Sequence, residues 1–352
     1  MKEFWSRRIQ NITPYTPGEQ PKDRQFIKLN TNECPYPPSP RVIEAIREAA
    51  DGRLRLYPDP ECRELRSAIA KREGLKLEQV FCGNGSDEIL AFAFQAFFDP
   101  GREVVFPKIT YSFYPVYTDF FGLDRREVPM NPDFSDPIEL LCGRNGGVVL
   151  ANPNAPTGIA VGLDVVEKIL KANPGVAVIV DEAYIDFGAD SAVGLIGRYP
   201  NLLVIQTASK SRALAGLRVG WAMGNENLID ALRCVRDSVN SYTLDRLAQA
   251  GAAAAIEDEE YFQTVRKQVT DTRTWTARAL ESKGFTVLPS QANFVFVSHP
   301  AHTGRELLDG LRRRGILVRW WDRPEIENWL RISIGTRPEM EALVRALDEL
   351  IS

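Results

Sequence analysis

Val176-Ala177-Val178-Ile179-Val180-Asp181-Glu182-Ala183-Tyr184 begins as an apolar, mostly β-branched run and ends in two carboxylates and a phenol. An apolar run without polar alternation reads as a strand buried on both faces, at home in a parallel sheet covered by helices. The chain repeats the pattern on either side. Short runs at 79–82 (QVFC), 103–106 (EVVF), 148–151 (VVLA), 203–207 (LVIQT) and 218–223 (RVGWAM) are each followed by a turn and a helix-like segment. Strands alternating with helices predict an α/β fold with a mostly parallel sheet.

Beyond this region the character changes. Residues 1–40 are proline-rich and irregular and read as an extended arm, associated in part with the small domain. Ser39-Pro40 opens a helix, with Val42, Ile43 and Ile46 at helical spacing. Residues 226–283 read as helical and complete a large domain over 41–283. From 284 to 352 short strands at 286–288, 293–297, 316–319 and 328–334, with a closing helix over 338–351, predict a smaller α+β domain.

Composition narrows the function. The 352 residues carry a net charge of −4, which disfavours a dedicated nucleic-acid binder or a polybasic membrane surface. Five cysteines (Cys34, Cys62, Cys82, Cys142, Cys234) include no C-x-x-C pair, which argues against a zinc ribbon or a disulfide framework and fits a reducing compartment. The two histidines, His299 and His302, sit close together near the end of the chain, so neither a His-rich metal site nor a dispersed Ser/His/Asp triad is expected. The opening MKEFWSRRIQ lacks a signal-peptide core and no stretch approaches about 20 apolar residues, so a cytoplasmic protein is expected.

In open α/β sheets ligands bind beyond the carboxyl ends of the strands, so the residues after each run matter most. QVFC leads into Gly83-Asn84-Gly85-Ser86-Asp87-Glu88 and an apolar helix. Ser86 or Asp87 can cap that helix, and its free N–H groups suit a phosphate; a plain capped turn reads the same way. The loop is neither G-x-G-x-x-G nor a Walker A sequence. EVVF leads to Tyr111, an aromatic able to stack on a flat ring or simply to pack. VVLA leads to the amide-rich turn Asn152-Pro153-Asn154-Ala155-Pro156-Thr157-Gly158. Asp181 ends a buried strand, where a carboxylate is costly unless it meets a cation or caps a helix, and Tyr184 follows three residues on. LVIQT leads to Ser209-Lys210-Ser211 and then Arg218. A partly desolvated amine at a strand mouth can serve as a nucleophile. One chemistry uses the whole set: pyridoxal 5'-phosphate needs a lysine, a carboxylate for its pyridine nitrogen, phosphate donors, a stacking aromatic and a donor to its ring hydroxyl.

The ordered series N-G-S-D-E, Y-S-F-Y, N-P-N-x-P-T-G, D-E-A-Y and S-K-S-R-A-L-A-G-L-R resembles the fold-type I pyridoxal-phosphate aminotransferases. With Leu29-Asn30-Thr31-Asn32-Glu33, Arg55-Leu56-Tyr57-Pro58 and Leu330-Arg331-Ile332-Ser333-Ile334-Gly335-Thr336, it is similar more narrowly to the histidinol-phosphate group of that family. The resemblance runs from about residue 27 to the end. It implies a seven-stranded central sheet and a homodimer with shared active sites. Lys210 then matches the lysine that binds the cofactor covalently and moves a proton, Asp181 the partner of the pyridine nitrogen, Tyr184 the phenol near the ring hydroxyl, and Tyr111 the stacking aromatic. Gly85, Ser86, Asp87, Ser209 and Arg218 match the phosphate cup. Tyr57 matches a tyrosine reaching the phosphate from the neighbouring subunit.

Arg331 and Arg319 match the arginines that hold the substrate's anionic groups, and Asn32 is placed beside the substrate. Many relatives carry Asn immediately before Pro-Thr-Gly; here that position is Ala155, so either Asn154 takes the amide role from one residue earlier or the role falls to Tyr184 alone. Trp320-Trp321, directly after Arg319, suggests tolerance of aromatic substrates. The expected activity is transfer of the amino group of L-histidinol phosphate to 2-oxoglutarate, giving imidazole-acetol phosphate and L-glutamate. An aromatic amino acid aminotransferase, or a lyase like threonine-phosphate decarboxylase, would use the same residues.

Overall fold

The computed structural model describes residues 3–21, 25–143 and 145–352. In chain order the strands are β1 (Ile27–Lys28), β2 (Val80–Asn84), β3 (Val104–Pro107), β4 (Arg125–Val128), β5 (Gly147–Ala151) and β6 (Val178–Asp181). They continue with β7 (Leu202–Thr207), β8 (Val219–Gly224), β9 (Thr286–Val287), β10 (Phe294–Ser298), β11 (Ile316–Leu317) and β12 (Trp329–Ser333).

Seven strands form the central sheet in the order β2-β8-β7-β6-β5-β3-β4. All run parallel except β8, which is antiparallel to both its neighbours. The sequence reading missed β4. Three of its four residues are charged (Arg125, Arg126, Glu127) and only Val128 is buried, the pattern of an edge strand that keeps other chains away.

The two faces of the sheet bury alternate residues. Val105, Leu150, Val178, Val180 and Val204 pack beneath the helices Pro40–Ala49, Arg63–Glu73, Leu163–Ala172 and Arg246–Glu257. Phe106, Val149, Ile179, Leu203 and Ile205 pack beneath Gly85–Phe97, Phe113–Phe121 and Glu226–Val239. This double cover explains why the central strands read as unbroken apolar runs. The helix Pro40–Ala49 starts where expected, with the Ser39 hydroxyl accepting from Arg41 N at 3.1 Å.

A second core forms around the antiparallel sheet β12-β10-β9, covered by Gly304–Arg313, Arg337–Ile351 and the inner face (Val265, Val269, Leu280) of Glu259–Glu281. The N-terminal arm joins this unit: β1 pairs parallel with β11, and Leu29 enters the same core. Among the described residues no helix is long and apolar enough to cross a membrane.

Candidate active site

The carboxyl ends of β5, β6 and β7 open on one pocket, as the sheet's handedness requires. Because β8 runs the other way, its first turn returns to that same rim. Lys210 after β7 and Arg218 before β8 therefore share one pocket, together with Asp181, Tyr184, Tyr111, Ser86, Asp87 and Ser209. Asn32, Arg319 and Arg331 line its other side.

Strand alternation divides the two carboxylates that end β6. Asp181 shares the side of Ile179 and faces the pocket, where it accepts from Tyr114 Oη at 2.8 Å and from Ala183 N at 3.2 Å. Burial pushes its carboxyl up to about 6, against the Tyr114 hydrogen bond. Glu182 faces the opposite layer and is held by Ser191 Oγ at 2.6 Å, Ala192 N at 2.6 Å and Gln206 Nε2 at 2.8 Å; burial pushes it up to about 7.

Both folded values exceed the ordinary carboxylate values of 3.8 and 4.5. The folded chain thus binds more protons than the unfolded chain between about pH 4 and 7, and the stability contributed by these groups falls as pH rises through that window. In cofactor-free protein, Asp181→Asn and Glu182→Gln each lose less melting temperature between about pH 5 and about pH 7.5 than the parent does. Scanning fluorimetry reads this; identical losses in all three proteins would contradict it.

Opposite Asp181 lies an anion cradle. The helix Gly85–Phe97 begins without any side-chain cap, so neither Ser86 nor Asp87 caps it as the sequence suggested; both lie inside its first turn. Its first N–H groups stay available to a ligand. Asp87 instead accepts from Tyr111 Oη at 2.8 Å and Arg218 Nη2 at 3.2 Å. Gly85 has φ +80°, and a Cβ there would lie 2.5 Å from the Arg218 guanidinium; a Cβ at Gly220 would lie 2.5 Å from Ser86 N. Arg218, itself at φ 55°, reaches Ser209 Oγ at 3.5 Å. The cradle is built close enough for backbone to touch a phosphate, with a cation beside it. Together with the buried carboxylate, the amine and the Tyr111 ring, this donor set fits a flat, cationic, phosphate-bearing heterocycle.

The arm closes the other side. Four successive carbonyls are each taken by a different residue: Leu29 O by Ser333 N at 3.0 Å, Asn30 O by Arg331 Nη2 at 2.9 Å, Thr31 O by Lys210 Nζ at 3.3 Å, and Asn32 O by Asn293 Nδ2 at 3.0 Å. Arg319 and Arg331 stand opposite each other in an isolated antiparallel bridge, which sends both side chains to one face. Arg319 donates to Thr16 O at 3.0 Å. Arg331 Nε is buried with no hydrogen-bond partner among the described residues, and burial lowers the guanidinium's pKa. An anion arriving there would satisfy it.

Two expected residues lie elsewhere. Asn154 does not line the pocket: it donates to Ile109 O at 2.9 Å and Thr157 Oγ1 at 3.2 Å, and accepts from Thr110 Oγ1 at 2.8 Å. Its amide is spent on holding the loop, and Ala155 lines the pocket in its place. Tyr57 is 77% exposed, stacked on Tyr242 at 4.5 Å and absent from the pocket of its own chain. Of the paired tryptophans only Trp321 lines the pocket, with the guanidiniums of Arg319 and Arg331 at 5.5 and 5.3 Å from its ring; Trp320 turns away and donates to Glu327 O at 2.7 Å.

Sequence reasoning missed Tyr15 and Tyr114. Tyr15 reaches the pocket from the arm and stacks on Phe113 at 4.3 Å, and nothing in the arm's irregular sequence marks it. Tyr114 was legible: it lies three residues after Tyr111, at the start of the helix that covers Asp181.

Comparison with known proteins places this geometry. A curated histidinol-phosphate aminotransferase of Clostridium acetobutylicum is 51% identical over 352 residues, covering 100% of both chains. One of Acetobacter pasteurianus is 54% identical over 351 residues, covering 100% of this chain and 99% of the other. The crystal structure of histidinol-phosphate aminotransferase from Sinorhizobium meliloti in complex with pyridoxal-5'-phosphate superposes with a TM-score of 0.89 at 27% identity, covering 99% of this chain and 97% of that one. The model of aminotransferase class I and II matches residues 24–347, and the chain belongs to that family.

Proposed function

We propose that this protein is a pyridoxal-phosphate-dependent transaminase of histidine biosynthesis, moving the amino group of L-histidinol phosphate to 2-oxoglutarate. The names of its full-length relatives support the reading. The observation that carries it is the meeting in one pocket of Lys210, the buried Asp181 and the facing pair Arg319 and Arg331. When bound, the cofactor supplies an electrophilic carbon for the substrate nitrogen and a cationic ring that accepts electron density from Cα.

The protein's own groups do the rest. Asp181, with two neutral donors already on it, keeps negative charge at the pocket floor and holds a proton on the ring nitrogen. The N–H groups at Ser86 and Asp87, with Ser209 and Arg218, bind the phosphate. Tyr111 presents its ring as one wall. The Lys210 amine, resting on Thr31 O, lies within the pocket to take a proton from the substrate carbon and return it. Arg319 and Arg331 hold the substrate's anionic end. Tyr15, Gly18 and residues 30–32 of the arm exclude water from the same space. The exposed Tyr57 completes the phosphate site of a second copy, in a cytoplasmic homodimer.

A single-turnover spectrum tests the reading. Cofactor-loaded protein mixed with L-histidinol phosphate, without keto acid, loses its visible band quickly, and L-phenylalanine in a parallel cuvette acts slowly. A faster response to phenylalanine would make it an aromatic aminotransferase. No response to either would overturn the transaminase assignment. Arg319→Ala raises the KM for histidinol phosphate at least about tenfold and that for a carboxylate donor much less, because it removes a charge-assisted contact to phosphate. Steady-state kinetics on both donors decide; equal losses would reduce Arg319 to a scaffold residue.

A further inference from the structure

Ser333 lies two residues beyond Arg331 on β12, so both side chains leave the strand on the same side. Ser333 is 3% exposed, and its hydroxyl meets Asn32 twice: it accepts from Asn32 N at 2.8 Å and donates to Asn32 Oδ1 at 2.8 Å. Asn32 itself is 1% exposed and sits at φ 56°, a left-handed conformation that Asn tolerates better than most residues. Its remaining polar group, Nδ2, donates to Tyr184 Oη at 3.0 Å.

The direction of this chain follows from counting protons. The backbone N–H of Asn32 can only donate, so it occupies one lone pair of the Ser333 oxygen. The hydroxyl proton then goes to the amide oxygen, which fixes that oxygen toward Ser333 and the amide N–H₂ toward Tyr184. The reversed amide would leave the Ser333 proton without an acceptor in a buried site. Tyr184 therefore receives a hydrogen bond from Asn32, and its own proton is left for an acceptor inside the pocket.

We propose that Ser333 is a positioning residue that, through Asn32, aims and strengthens the hydrogen bond Tyr184 donates into the pocket. The inference rests on the pocket holding pyridoxal phosphate, whose ring oxygen is the acceptor of matching chemistry. A phenol that accepts one hydrogen bond donates a stronger one. The relay thus favours negative charge on that oxygen and lowers the pH at which the bound cofactor's visible absorption changes. It also places Arg331 and the tuning of the phenol on one strand.

The test is a spectrophotometric pH titration of the loaded protein without substrate. Ser333→Ala raises the midpoint by about half a pH unit, the worth of a neutral hydrogen bond. Asn32→Gly, which keeps the positive φ without strain, does the same and serves if Ser333→Ala folds poorly. Ser333→Thr, which retains a hydroxyl, restores the parent midpoint. Tyr184→Phe raises it further, and Ser333→Ala added to Tyr184→Phe changes nothing more, because the relay then has no end. An unshifted midpoint in Ser333→Ala and Asn32→Gly would overturn the relay while leaving the transaminase reading intact. A shift that persists in the Tyr184→Phe background would overturn it too. A parent that binds no cofactor would overturn both.

Discussion

Lys210→Ala reduces transamination at least about a thousandfold and yields a protein whose added cofactor lacks the spectrum of a covalently held one. Lys210 follows β7 and rests 3.3 Å from Thr31 O in a pocket that contains Asp181 and Arg331. No other lysine of the described chain lines that pocket, so no neighbouring amine can replace it in holding the cofactor or moving the proton. A thousandfold is about 4 kcal/mol of barrier, within the range of a lost general base combined with lost covalent anchoring. Alanine is tolerated structurally, because the amine makes one backbone contact and stacks against nothing closer than the Tyr184 ring at 5.8 Å. The measurement is the rate with histidinol phosphate and 2-oxoglutarate, beside an absorption spectrum. A variant with parental rate would remove Lys210 from the chemistry, and with it the proposed mechanism.

Asp181→Asn comes second, with a loss in kcat on the order of a hundredfold to a thousandfold and cofactor still bound. Asparagine is nearly isosteric and can keep a hydrogen bond with Tyr114, so packing survives. What disappears is the negative charge that favours a proton on the ring nitrogen. Deep burial magnifies that charge, because the pocket floor offers little water to screen it. Dialysis followed by spectroscopy separates this from simple cofactor loss. A variant that holds cofactor and turns over at the parental rate would show that the carboxylate is structural.

The sequence exposed the central machinery because buried parallel strands and their exits are locally encoded. Apolar runs that end at Asp181 or lead within three residues to Lys210 and Gly85 identify both the strands and the rim. The edge strand β4 escaped because its charges hide an extended segment. The contrast between Asn154 and Asn32 is more instructive. Both are asparagines in irregular loops, and sequence cannot say where an amide points. Asn154 is consumed by Thr110, Ile109 and Thr157 within the large core. Asn32 reaches Tyr184 from a loop held by Ser333 and Asn293, both distant in the chain. Tyr15 belongs to the same class: its place depends on stacking against Phe113 from a part of the arm that lies in neither helix nor strand.

The separation of labour along the chain has an evolutionary consequence. Lys210, Asp181 and Arg218 come from one contiguous half of the polypeptide, whereas Arg319, Trp321 and Arg331 come from the C-terminal segment. Recombination that exchanges residues from about 315 to 335 can therefore hand the enzyme a new clientele while leaving its reactive centre inherited intact. Two carbonyls of the arm, Leu29 O and Asn30 O, together with the backbone N–H and side-chain oxygen of Asn32, set the terms of that exchange. A donor segment must still offer the guanidinium at 331, the hydroxyl at 333 and the backbone N–H of Ser333 to an arm it did not evolve with. Arm and C-terminal strand are thus expected to travel as a pair in any productive chimera, although some 300 residues separate them in the gene.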